Sequence, residues 1–364
     1  MPLLRISAEE CVVKLVVKYV TRYGVVLSIV LAVCALSACV ATCRDMPSEP
    51  DRVAVAAPAI FIPQRADPFI HRTPAGRYYF IATAPEFDRI EMRAADSLGD
   101  LKTAAAKTVW RKRSSGAMGA NIWAPELHYF NNTWYIYFAA GDAEQPWLIR
   151  MYVLANESAD PLTGEWKELG RVKTARDSFA LDATSFEHKG QRYLVWAQKD
   201  PEEKLNSALY IAKLISPTQV GEVEVEITRP QLDWEIQGYK VNEGAAVIVR
   251  NGKIFISYSA SATDHRYAMG LLWADVDSDL LDASSWHKLP EPVFASNETL
   301  QRYGPGHNSF TLADDGQTDI MVYHARDYLE LQGTPLTDPN RHTYIRRLNW
   351  TSEGFPDFGQ DQPD

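Results

Sequence analysis

The chain has 364 residues, 46% of them hydrophobic, with 37 Lys and Arg against 47 Asp and Glu for a formal charge of −10. This excludes a disordered or collagenous chain, and the acidic balance, with no basic block after residue 50 longer than Arg111-Lys112-Arg113, argues against nucleic acid as a partner. All four cysteines, Cys11, Cys34, Cys39 and Cys43, lie in the first 43 residues, which excludes disulfides and thiolate metal sites from everything that follows.

Taken in chain order, Arg5, Lys14, Lys18 and Arg22 lead into the apolar stretch Val25 to Ala35, which ends in Leu36-Ser37-Ala38-Cys39. A basic region, an apolar core and small residues read as a signal peptide over residues 1–38. The apolar stretch is shorter than the roughly 20 residues that a spanning helix needs. Leu-Ser-Ala-Cys has the pattern of a lipobox, which would make Cys39 the lipid-bearing first residue of a mature, membrane-anchored lipoprotein. Plain secretion and an uncleaved anchor are the alternatives. Residues 39–63, with Pro47, Pro50, Pro58 and Pro63, read as a tether that holds the following domain outside the cytoplasm.

From residue 64 onward one pattern recurs: a polar or acidic residue, a short strand, a turn and an aromatic-rich strand. Its five copies begin at Asp67, Glu126, Asp182, Glu243 and His307, separated by 59, 56, 61 and 64 residues. The turns Ala75-Gly76, Asn131-Asn132, Lys189-Gly190, Asn251-Gly252 and Asp315-Gly316 tolerate positive φ and suit hairpins. Each repeat is long enough for a four-stranded sheet, and helical periodicity is absent. Five sheets repeated about an axis predict an all-β, five-bladed β-propeller over residues 64–352, with residues 353–364 as a C-terminal tail. The last blade is expected to take its outer strands from Thr343 to Trp350. Residues 86–121 and 199–206 read as long loops joining blades.

In such a ring the five leading residues meet at one end of the axis, and each has a bland alternative. Asp67 before Pro68 also suits a turn start. Asp182, between Leu181 and Ala183, is a carboxylate in an apolar run, where it needs a partner or a purpose. Glu243 precedes Gly244-Ala245-Ala246, small residues that permit a ligand to approach. Glu126, in Trp123-Ala124-Pro125-Glu126, reads as structural, with Trp123 the substrate contact. His307 shares the offset of the carboxylates and reads as axial. Arg326, after the second strand of the fifth repeat, either enters the site or forms an ion pair at the rim. No Gly-x-Ser-x-Gly or phosphate-binding loop occurs. The 10 Trp and 17 Tyr suit strands and, where exposed, the faces of sugars.

Ala66-Asp67-Pro68-Phe69, Trp123-Ala124-Pro125-Glu126, Leu181-Asp182-Ala183, Asn242-Glu243-Gly244 and Gly304-Pro305-Gly306-His307-Asn308 stand in the order found in glycoside hydrolase family 43. Over residues 60 to 350 the chain resembles that family, and around Tyr258 to Asp264 and Gly270 to Asp275 its α-L-arabinofuranosidases. The resemblance implies an inverting hydrolase acting on arabinan or arabinoxylan, with Asp67 as general base, Glu243 as general acid and Asp182 as the residue that orients the acid and raises its pKa. It also implies substrate contacts from Trp123, His307 and Arg326. No cofactor is required for the chemistry, and His307 is the candidate ligand for a calcium or other cation near the axis. The enzyme is expected to act as a monomer. A β-xylosidase and a catalytically silent sugar-binding propeller are the alternatives. Inversion needs the base and acid carboxyls about 6.5–9.5 Å apart, and an ionised Asp182 beside Glu243 is expected to keep the acid protonated.

Overall fold

The computed structural model describes residues 59–363. The leader, the lipobox cysteine and most of the tether lie outside the described residues. Four antiparallel four-stranded sheets follow one another along the chain. The first comprises β1 (Ala66–Arg72), β2 (Tyr78–Thr83), β3 (Arg89–Ala95) and β4 (Lys107–Arg111). The second comprises β5 (Ala117–Phe130), β6 (Thr133–Asp142), β7 (Arg150–Asn156) and β8 (Lys167–Arg171). The third comprises β9 (Ala180–His188), β10 (Gln191–Gln198), β11 (Ala208–Ser216) and β12 (Gln219–Thr228). The fourth comprises β13 (Asn242–Arg250), β14 (Lys253–Ala260), β15 (Ala268–Asp275) and β16 (His287–Lys288). A fifth sheet has three strands, β17 (Tyr303–Leu312), β18 (Asp319–Arg326) and β19 (His342–Arg347). The five sheets are the blades of a β-propeller, as the repeat spacing predicts.

The aromatic-rich strands are buried on both faces, and strand geometry explains how. Successive side chains point to opposite sides of a sheet, so one strand feeds two interfaces. In β2, Tyr78, Phe80 and Ala82 pack with Ile320 and Val322 of the fifth blade, while Tyr79 and Ile81 pack with Leu127 and Ile136 of the second. In β10, Leu194 and Trp196 pack toward the second blade and Val195 and Ala197 toward the fourth. The Asn131-Asn132, Lys189-Gly190 and Asn251-Gly252 turns all have positive φ at both residues, the backbone that two-residue hairpin loops require.

Four expectations are corrected. The segment read as a tether ends inside the fold: Phe61 and Ile62 are buried, and their N–H groups donate to the Thr343 carbonyl at 2.9 and 3.2 Å. This pairing lays the start of the domain along β19, so the fifth blade draws on both ends of the chain and the ring closes. The rest of the expected outer strand, β20 (Asn349–Trp350), pairs with β21 (Pro356–Asp357) instead. The residues expected to form a tail are packed, with Phe358 buried and Gln360 Oε1 accepting from the Ala295 N–H at 2.8 Å. Residues 86–121 are no single loop, because they hold β3, β4 and the start of β5.

Candidate active site

A β-bulge recurs in the innermost strand of every blade. The register slips across 67–68, 124–125, 182–183, 244–245 and 307–308. The first residue of each pair is left-handed: Asp67 (φ 54°), Ala124 (44°), Asp182 (57°), Gly244 (58°) and His307 (42°). Bulges bend a strand and re-aim its side chains, and backbone strain of this kind gathers at functional sites. The bulge also corrects the alignment read from sequence. Ala124 and Gly244 are the counterparts of Asp67, Asp182 and His307. Glu243 stands one residue before Gly244 and Glu126 two after Ala124.

Asp67, Asp182, Glu243, His307 and Trp123 all line one pocket of about 570 Å³. Asp67 is buried, with Oδ2 accepting from Thr83 Oγ1 at 2.6 Å and Oδ1 at 3.3 Å from Arg341 Nη1 and 3.4 Å from His307 Nδ1. Burial alone would raise its pKa, but Arg341, His307 and Thr83 outweigh burial and hold the carboxyl well below the usual carboxylate range. Thr83 Oγ1 also accepts from the Ala124 N–H at 2.8 Å, tying two bulges together.

Glu243 has the opposite setting. Burial first, and then the nearby Asp182, push its pKa up to about 8, against a hydrogen bond from Tyr267 and the influence of His307. Asp182 is itself raised by burial and by Asp67, and its Oδ2 accepts from the Gly244 N–H at 3.0 Å. The elevation of Glu243 therefore starts from burial, with Asp182 the second cause rather than the first. His307 Nδ1, 3.4 Å from Asp67 and 3.8 Å from Asp182, sits between two carboxylates. Among the described residues no three His, Cys, Asp or Glu side chains are gathered to hold a metal ion. His307, the candidate cation ligand, directs Nδ1 at these two carboxylates.

Residues 59–356 match the family described as "Glycosyl hydrolases family 43". The chain belongs to this family. It is 51% identical over 296 residues to an extracellular exo-α-(1→5)-L-arabinofuranosidase of Streptomyces avermitilis, covering 81% of this chain and 62% of that one. It is 52% identical over 272 residues to a protein of the same name from Streptomyces chartreusis, covering 75% and 83%. The crystal structure of an α-L-arabinofuranosidase from Lactobacillus brevis superposes with a TM-score of 0.81 at 48% identity, covering 84% and 97%. The chain thus spans less than two thirds of the length of the Streptomyces avermitilis relative.

Within this family 43 site, two candidates from the sequence stand elsewhere. Arg326 does not line the pocket. It is buried, with Nη1 donating to the Thr263 carbonyl at 3.0 Å and Nη2 to the Pro335 carbonyl at 3.2 Å. Thr263 and Pro335 both line the pocket, so Arg326 holds two wall segments rather than substrate. The pocket arginine is Arg341, fifteen positions on. Glu126 also lies outside the pocket lining, with Oε2 3.0 Å from His128 Nε2. Burial raises its pKa to about 8 and lowers that of His128 to about 3, so the two form a neutral buried pair, in keeping with the structural reading.

Trp123 keeps its expected place, edge-on to Phe87 at 5.8 Å and to Trp147 at 6.0 Å. Trp147 and Tyr239, 63% and 56% exposed, were not singled out from sequence, yet both line the pocket as aromatic surface that a sugar ring can cover. Their signal was a lone aromatic in a polar loop, as in Glu144-Gln145-Pro146-Trp147.

Proposed function

We propose that this family 43 enzyme removes terminal α-L-arabinofuranosyl residues from arabinan or arabinoxylan by an inverting single displacement. One observation carries the reading. In a chain half identical to exo-acting arabinofuranosidases, one pocket carboxyl is held ionised while another in the same pocket stays protonated up to about pH 8. Glycoside hydrolysis requires that split. Glu243 gives its proton to the glycosidic oxygen as the bond to the anomeric carbon breaks. Asp67 takes a proton from the water that attacks the opposite face of the ring. Asp182, itself raised by burial and by Asp67, disfavours a charge on Glu243 whenever it is ionised and so helps keep the acid protonated, and Trp123 and His307 contact the sugar. Arg341 takes the place given to Arg326 from sequence.

Release of nitrophenol from the α-L-arabinofuranoside, and of arabinose alone from linear arabinan from the first time points, is the expected result. Activity confined to the β-D-xyloside would make the enzyme a xylosidase, and binding of polysaccharide without cleavage of either would make it a silent sugar-binding propeller. Proton NMR should show the inverted anomer of arabinose forming first. Initial formation of the retained anomer contradicts single displacement.

The enzyme acts outside the cytoplasm, a reading supported by the extracellular designation of the Streptomyces relatives and by the basic-then-apolar leader. Cys39 anchors it to the membrane through lipid. Cys39→Ser should move the enzyme from the membrane fraction to the soluble exported fraction, and an unchanged distribution would rule out the anchor.

A further inference from the structure

Tyr267 enters none of the sequence motifs, yet the fold builds a seat for it beside the acid. The side chain is buried, and its hydroxyl donates to Glu243 Oε1 at 2.8 Å. Burial and the neighbouring carboxyls raise the phenol pKa well above its ordinary value, so the hydroxyl keeps its proton and remains a donor. Glycine at 306 makes room for the ring: a Cβ there would come within 2.4 Å of Tyr267 Cε1. Gly306 pairs across the strands with His324, whose imidazole lies parallel to the tyrosine ring at 4° with centroids 5.8 Å apart. His324 Nδ1 in turn accepts from the backbone N–H of Asp67 at 3.0 Å. One stacked pair therefore touches the acid at one end and the bulge that carries the base at the other.

We propose that Tyr267 is a positioning residue for the general acid, fixing Glu243 by its Oε1 so that the transferable proton is carried on Oε2, and that its stack on His324 sets the acid against the base. This rests on Glu243 being the acid. The hydroxyl does two things that packing alone would not. It occupies one carboxyl oxygen, leaving the other to face the departing sugar. It also favours the carboxylate that remains once the proton has left, because a donated hydrogen bond stabilises the charged form.

The test compares Tyr267→Phe with wild type on two substrates. Nitrophenyl α-L-arabinofuranoside has a leaving group that departs with little protonation, whereas an α-1,5-linked arabino-oligosaccharide needs the proton. General acid catalysis is worth roughly 10² to 10⁴ in rate, so losing its alignment should cost about tenfold or more in kcat on the oligosaccharide and much less on the nitrophenyl glycoside. The alkaline limb of kcat/KM should move to higher pH, since Glu243 loses a bond that favours ionisation. An equal loss on both substrates with an unmoved limb, or no loss on either, overturns the proposal. Glu243→Ala separates the two levels. If it abolishes oligosaccharide cleavage while Tyr267→Phe changes neither ratio nor limb, the acid stands and the positioning role fails. If Glu243→Ala retains oligosaccharide cleavage, the assignment of the acid itself is wrong.

Discussion

Arg341 offers the sharpest test of how the site separates its two carboxyls. Replacing it by Gln deletes a cation 3.3 Å from Asp67 Oδ1, where the two side chains are only 10% and 8% exposed. At an effective dielectric of about 20, a unit ion pair at that distance is worth about 5 kcal/mol. This is an upper bound on the change, because His307 at 3.4 Å and Thr83 at 2.6 Å stay in place. An arginine beside an aspartate typically lowers its pKa by about one to three units, so Arg341→Gln should raise that of Asp67 by that much. The sign follows from the role. A base works ionised, so a higher pKa moves the acid limb of the pH profile upward, and activity is lost first at mildly acidic pH. Measuring kcat/KM on nitrophenyl α-L-arabinofuranoside from about pH 2 upward shows whether an acid limb that lies at or below the foot of the range in the wild type enters it in the variant. Loss of a substrate contact would lower the whole curve without moving it, so superimposable limbs would refute the electrostatic argument. Linkage adds a check on stability. A carboxyl with a depressed folded pKa stabilises the fold above its unfolded value of about 3.9 and loses that contribution as pH falls through the folded value, so the variant should melt lower at neutral pH.

Asp67→Ala and Glu243→Ala should each lose at least about two orders of magnitude in kcat on an arabino-oligosaccharide while keeping a native circular dichroism spectrum. Near-wild-type turnover in either would reverse the assignment. Asp182→Asn removes a carboxyl that, when ionised, disfavours charge on Glu243, so the pKa of the acid should fall below about 8 and the alkaline limb should move down. A limb that stays put would leave burial and Asp67 as the causes of the elevated value. Ile62→Ala, in the pairing that closes the ring on Thr343, should cost about 2–5 kcal/mol in a denaturant titration, and an unchanged midpoint would mean that this contact does not hold the closure.

The architecture was legible because it repeats. Hairpin turns such as Asn251-Gly252 and aromatic runs such as Tyr78 to Ile81 state a local preference five times over, and burial on both faces follows from the alternation of side chains. Asp67, Asp182, Glu243 and His307 could be placed near one another because equal spacing in a ring brings equivalent positions to the same end. Their exact equivalence could not, because the extra residue of a bulge is defined by its pairing with the neighbouring strand. Equal spacing therefore put Glu126 and Glu243 in one class with Asp67, where the backbone places Ala124 and Gly244.

Composition and pattern alone were enough for the blade number and for bringing Asp67, Asp182, Glu243 and His307 to one end of the axis, since these depend on short segments whose preferences are intrinsic. Partner choice was another matter. Arg326 and Arg341 flank the same loop, and nothing in their neighbours says which one reaches Asp67; the loop path does, with Tyr328 Oη bonded to both oxygens of Asp338 at 2.7 and 2.8 Å and Arg326 turned into the wall. Arg341 stands 274 residues from Asp67 along the chain, and Tyr267 meets Glu243 through a gap left by Gly306 in another blade. The charges that set Asp67 apart from Glu243 are thus decided by ring closure and loop packing, which bring together groups that no local preference relates.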